Sequence, residues 1–114
     1  PQIQDRHLVD GYWWLVFHGS EVVAFAGMVP MVPFPSWYLK RCLVLPDHLG
    51  RGLQYRLMMA RILKAQQLGI KQLVTECRKD NSYSAMNMRK AGFIQIDPEQ
   101  PWAKDSIFFE KSLI

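Results

Sequence analysis

Apolar residues crowd two neighbouring runs, the aromatic and β-branched Tyr12–His18 and the segment Glu21–Val29, with Gly19-Ser20 between them. A short Gly-containing step of this kind closes a hairpin, so two antiparallel strands are predicted. The stretch Pro30–Ser36 holds three prolines, which cannot donate to a ladder. It is therefore predicted to be a loop feeding a third strand over Trp37–Leu45, which Pro46 closes.

From Gly52 onward the period changes. Leu53, Leu57, Ala60 and Leu63 recur at helical spacing, widened by Met58, Met59 and Ile62, which predicts a helix laid on a sheet. Leu68-Gly69-Ile70 ends it, since a glycine can take the left-handed conformation just past a helix while the next apolar residue packs back on the last turn. A strand over Gln72–Cys77 follows. Asp80 and Asn81 can cap a second helix carrying Ala85, Met88 and Ala91, and Gly92-Phe93 stops it by the same device. Strands over Phe93–Ile96 and Ile107–Ser112 complete the order βββαβαββ, an α/β (α+β) domain spanning 1–114, with residues 1–11 poorly defined.

Composition adds a few bounds. The chain has 114 residues, 49% of them hydrophobic, which suffices for one domain with a true core. No run approaches the roughly 20 apolar residues of a membrane span, and no basic-then-apolar leader opens the chain, so a soluble cytoplasmic protein is expected. The first residue is Pro1 rather than methionine, which suits a processed product or a piece of a longer chain. Cys42 and Cys77 sit in apolar strand-like runs with neither a CxxC pair nor a histidine at ligand spacing, so they are expected to be buried free thiols, with no metal. The formal charge of +4 suits an anionic partner, but the basic residues are dispersed. A nucleic-acid surface would interleave them with exposed aromatics, whereas Trp13, Trp14 and Phe17 sit in an apolar strand.

The chemistry concentrates in Leu45-Pro46-Asp47-His48-Leu49-Gly50-Arg51-Gly52-Leu53-Gln54, a strand end, a glycine turn and a helix start. The first backbone N–H groups of a helix are unpaired and carry the positive end of its dipole, so such a turn can take a phosphate. The glycines allow close backbone approach, and Arg51 can add a charged contact. The alternative is a purely structural tight turn. A dinucleotide fingerprint would want a third glycine at Tyr55, and no Gly-Lys-Ser/Thr occurs for a P-loop.

The segment from Leu43 to Gln54 resembles the central signature of the GNAT family of N-acetyltransferases: a strand, a proline, then Arg/Gln-x-x-Gly-x-Gly/Ala opening a helix. A second family feature, an asparagine followed about twelve residues later by Gly-Phe, is matched by Asn81 and Gly92-Phe93. The resemblance covers about residues 12–112. It implies a mixed twisted sheet whose middle strands splay, with acetyl-CoA in the gap and its diphosphate on the glycine turn. It further implies direct acetyl transfer to an amine acceptor, small molecule or protein. By position, Leu43, Val44 and Leu45 would meet the pantetheine and thioester, Gly50, Arg51, Gly52, Leu53 and Gln54 the diphosphate, and Asn81 and Ser84 the other side.

Several positions depart from the family pattern. Leu49 replaces its first Arg/Gln, and Gln54 its last Gly/Ala, which puts a bulky side chain beside the cofactor and should weaken binding. The usual tyrosine acid falls on Met88, which has no proton to give, and Tyr83 lies on another helical face. Glu76, at a strand end, is the candidate base, with His48 beside the turn as a second candidate. His7 and His18 are ascribed to the terminus and the hairpin turn. The family's N-terminal strand and two helices, which wall the acceptor side, are lacking or shortened. A sheet that lacks its usual first strand would present an edge that a second copy could cover, which suits a homodimer. The alternative to an active acetyltransferase is a catalytically impaired domain that binds or only scaffolds.

Overall fold

The computed structural model describes residues 2–8, 11–31 and 36–114. Seven strands and two helices follow in the order β1 (Gln2–Leu8), β2 (Gly11–His18), β3 (Glu21–Pro30), β4 (Ser36–Val44), α1 (Leu53–Gln67), β5 (Gln72–Arg78), α2 (Ser82–Lys90), β6 (Ile94–Ile96) and β7 (Ser106–Ser112). A short 3-10 turn, Pro46–His48, separates β4 from the glycine turn. Residues 32–35 of the predicted proline loop lie outside the described residues.

The strands form one sheet in the order β1-β2-β3-β4-β5-β7-β6, antiparallel everywhere except between β4 and β5. All the predicted elements are present within a residue or two of their expected bounds. The sheet has one strand more than the predicted order. Gln2–Leu8, in the segment predicted to be poorly defined, pairs along β2 from Gln2↔Phe17 to Leu8↔Gly11. The β2 edge proposed for a second copy is thus covered by β1 of the same chain, and the sheet's edges are β1 and β6. Only two residues separate β1 from β2, so no pair of helices lies between them.

Helix α1 packs on β3, β4 and α2. Its buried face is Leu53, Leu57, Met58, Arg61, Ile62 and Ala65, which places Arg61 inside and the predicted stripe member Leu63 outside, at 56% exposure. The 3.6-residue period explains the shift: Arg61 and Ala65 continue the line of Leu57 at steps of four, whereas Leu63 has rotated off it. With Val16, Val23, Ala26, Met28, Leu73 and Phe109 from the sheet, this face makes the core. Both helices end as their Gly-apolar signals predict. The amide of Ile70 donates to Ala65 and that of Phe93 to Met88, around Gly69 (φ 74°) and Gly92 (φ 93°).

Two features of β4 prepare a site. Its register against β3 passes from Ala26↔Cys42 to Gly27↔Lys40, so Arg41 is an extra residue and the strand is bulged there. On its other edge β4 pairs with β5 only through Ser36↔Gln72, Trp37↔Leu73 and Tyr38↔Val74. The Thr75 hydroxyl donates to the Leu39 carbonyl at 3.1 Å, and beyond this bond the strands part.

Candidate active site

The parting of β4 and β5 opens a cavity of about 190 Å³, walled by both strands and both helices. Leu39 and Cys42 come from β4, Thr75, Glu76 and Cys77 from β5, Gln54, Met58 and Arg61 from α1, and Asn81, Ser84 and Met88 from the α2 end.

The glycine turn ends two residues before Gln54, the first residue of α1 that lines the cavity. Gly50 and Gly52 both have left-handed backbones, φ 78° and 72°, a conformation costly for any side chain. Gly52 is the N-cap of α1, and no side chain caps the helix. The first intrahelical bond runs from the Arg56 amide to the Gly52 carbonyl at 3.0 Å, so the amides of Leu53, Gln54 and Tyr55 have no intrahelical partner. A Cβ at Gly50 or Gly52 would meet nothing within 4 Å, which leaves the turn open to a ligand. These features fit a diphosphate group.

Leu43 and Val44 at the end of β4 and Leu45 just after it, the residues expected to meet the pantetheine and thioester, differ in what they offer. The amide of Leu45 already donates to the Val23 carbonyl at 2.9 Å, and its carbonyl accepts from His48. Alternation along an antiparallel strand then gives the Leu43 amide to β3 and turns that of Val44 toward the gap. Leu43 and Leu45 side chains line a separate shallow apolar depression with Val22 and Phe25.

Glu76 lines the cavity, and its carboxylate is held from two sides. The Tyr38 hydroxyl donates to Oε1, and the Trp102 indole N–H donates to the same oxygen at 2.8 Å. Trp102 lies between β6 and β7 and packs edge-on against Phe108, with ring centroids 4.6 Å apart. Oε2 has no donor among the described residues. His48, the second candidate base, does not line the cavity. It is buried at the β2–β3 hairpin, its ring 5.3 Å from that of His18, with Nε2 4.0 Å from Glu21 and Nδ1 without a partner among the described residues.

Gln54 reaches across to α2 instead of projecting freely. Its amide donates to the Ser84 hydroxyl at 2.8 Å and its carbonyl accepts from Asn87 at 2.7 Å. Asn81 caps α2 by accepting from the Ser84 amide at 3.0 Å. Met88 is buried against the cavity, while Tyr83 is 46% exposed and takes no part in it.

The sequence pattern did not single out Arg61, Tyr38, Trp102 or Asn87. Arg61 had a legible signal, its place four residues after Leu57 on the apolar face. Trp102 had none, because its contact with Glu76 joins residues 26 apart across a loop. Burial raises the Cys42 thiol above its ordinary value, with Arg61 opposing, and raises Cys77 likewise, with Arg89 opposing and Glu76 adding to the rise. Neither cysteine is bridged. Among the described residues no group of acidic, histidine or cysteine side chains could hold a metal, and no helix is long and apolar enough to cross a membrane.

Solved structures share this architecture. A GNAT family acetyltransferase from Elizabethkingia anophelis with acetyl-CoA bound superposes with a TM-score of 0.77, at 21% identity, covering 94% of this chain and 79% of that one. The Bacillus subtilis acetyltransferase in complex with CoA gives 0.79 at 15% identity, covering 94% and 80%. The ribosomal-protein-S18-alanine N-acetyltransferase of Escherichia coli gives 0.79 at 18% identity, covering 94% and 72%. No curated protein matches the chain by sequence. The family model for the acetyltransferase (GNAT) family matches residues 1–93, which take in β1 to α2, the glycine turn and the Gly92-Phe93 stop. The chain therefore belongs to the GNAT acetyltransferase family.

Proposed function

We propose that this protein moves an acetyl group from acetyl-CoA directly to an amine in the gap between β4 and β5. The observation that carries the reading is the coincidence of that gap with an uncapped, open glycine turn at the start of α1. Two structural neighbours with acetyl-CoA or CoA bound support it.

Acetyl-CoA would supply a thioester open to attack by a neutral amine. The amides of Leu53 and Gln54, with Arg51 beside them, hold the diphosphate. The Val44 amide, turned into the gap, donates to the carbonyl oxygen on which negative charge grows. Glu76 takes the proton that the amine sheds as the new C–N bond forms and the C–S bond breaks. Tyr38 and Trp102 keep that carboxylate in place. Met88 offers no proton, so the thiolate leaves without an acid and is protonated by solvent. Unbridged Cys42 and Cys77 suit the reducing cytoplasm, where this reading places the protein.

A second reading, binding without transfer, is favoured by Met88 on the cavity wall. Calorimetric titration with acetyl-CoA, followed by an amine screen, separates the two. Wild-type protein is expected to bind and Gly52→Glu to lose binding, with Glu76→Gln binding normally but transferring at least tenfold more slowly. Binding with no transfer to any amine would favour the second reading, and no binding at millimolar acetyl-CoA would sink both.

A further inference from the structure

Arg61 is the largest fully buried side chain described in the molecule, 2% exposed, and it is a cation. Its Nε donates to the Leu57 carbonyl and its Nη1 to the Gly27 carbonyl, each at 3.2 Å. Two neutral carbonyls satisfy part of the guanidinium and none of its charge. No carboxylate among the described residues lies within ion-pairing distance of it. The neighbouring Cys42 is no counter-ion either, since burial keeps its thiol protonated. A guanidinium stays charged in a protein interior, and an unpaired buried charge costs several kcal/mol.

The guanidinium is also not closed off. Arg61 lines the cavity, and Nη2 has no hydrogen-bond partner among the described residues without being one of the sealed buried atoms. The cavity therefore has a cation on its α1 wall and the Glu76 carboxylate on its β5 wall. At about 190 Å³ it has space for roughly six waters, more than an acetyl group fills.

From this we propose that Arg61 is a substrate-binding residue that receives a carboxylate inside the cavity. The inference rests on the acyl-transfer reading above and narrows its substrate class. A planar carboxylate can pair with the forked N–H groups of a guanidinium, which supplies the missing counter-charge. The carboxylate can belong to the acyl group of the donor, as in a dicarboxylic acyl-CoA, or to the amine, as in an amino acid whose nitrogen sits toward Glu76.

Two matched pairs tell these sources apart. Succinyl-CoA and butyryl-CoA share a four-carbon acyl chain and differ in the terminal carboxylate; their affinities are compared by calorimetry. Phenylalanine and phenethylamine differ likewise, and are compared as acceptors from acetyl-CoA. Wild-type protein is expected to favour the carboxylated member of one pair by about tenfold or more, and Arg61→Met to lose that preference while still binding CoA. Methionine in place of a buried ion is often neutral or stabilising, so the variant should fold, as thermal unfolding will show. Arg61→Gln, which keeps a donor for Gly27, serves if it does not. Equal use of both members of both pairs, or a preference that survives in the variants, overturns the proposal while leaving acyl transfer standing. Failure of wild-type protein to bind CoA at all would instead defeat the acyl-transfer reading, and this inference with it.

Discussion

Trp102 donates its indole N–H to the Oε1 of Glu76 at 2.8 Å, and so ties the loop between β6 and β7 to the strand that carries the proposed base. Tyr38 donates to the same oxygen from β4, across the gap. The carboxylate is thus oriented by donors from two separate parts of the chain. Trp102→Phe keeps a ring to pack on Phe108 and removes only the donor. It is expected to lower kcat for acetyl transfer about tenfold, the effect of one hydrogen bond of about 1.4 kcal/mol, and to leave the acetyl-CoA affinity within twofold. Steady-state kinetics beside calorimetry check this; an equal loss in both quantities would mean that the loop has collapsed.

Gln54 behaves differently from what its place in the family signature suggests. A bulky residue there is expected to crowd the cofactor, yet its side chain is occupied in joining Ser84 and Asn87. Asn87 is 4% exposed, so removing its partner strands a buried amide. Gln54→Ala is expected to destabilise the fold by about 1–3 kcal/mol, seen as a lower urea midpoint at unchanged slope. A neutral effect would show that Asn87 finds another partner at no cost.

Why the fold was legible and part of the site was not follows from the range over which each signal acts. Strands such as Gly11–His18 and Glu21–Pro30, and the ends of both helices at Gly69 and Gly92, are set by runs of apolar, aromatic and β-branched residues and by left-handed glycines, which are local properties. β1 is the exception. QIQDRHL has too few apolar residues to read as a strand, and its sheet position comes from pairing with β2 and a surface contact of Asp5 with Lys64 at 3.4 Å. Glu76, Asn81 and Ser84 carried local marks and line the cavity. Tyr38, Trp102 and Asn87 act through partners 26 to 38 residues away, which no local pattern encodes. Arg61 had a local mark, its place four residues after Leu57, but its charge argued against reading that place as buried, since a cation is not expected on a buried helical face.

Gly27 offers a test of packing at the bulge that shapes the gap. It sits opposite Trp13 in the β2–β3 ladder, and a Cβ there would lie 2.8 Å from the indole ring atoms. The ring is rigid and already packed beside Phe25, with centroids 6.3 Å apart. Gly27→Ala is therefore expected to cost about 1–3 kcal/mol by overpacking, although alanine normally favours a strand over glycine. Because the Gly27 carbonyl accepts from Arg61, the same variant should also weaken any ligand that depends on that guanidinium. A stable variant with unchanged urea midpoint would show that Trp13 moves freely.

Cys42 and Cys77 both line the cavity, and burial holds both thiols above their ordinary value of about 9.0. The sign of the resulting pH dependence is fixed by which state keeps its protons. In the unfolded chain the thiols ionise as pH passes about 9.0, while in the folded protein they remain protonated to a higher pH. The folded state then binds more protons than the unfolded one, so stability is full below about 9.0 and falls as pH rises toward the folded values. Between about pH 7.5 and about pH 10, on either side of the ordinary thiol value, the urea midpoint is expected to drop in the wild-type protein and to drop less in Cys77→Ala, whose lost thiol no longer contributes to the difference. An equal drop in both proteins would show that the Cys77 thiol contributes nothing to the alkaline loss. At pH 7.5 the protonated thiols should also react slowly with a disulfide reagent, and acetyl-CoA should slow them further by filling the space they border.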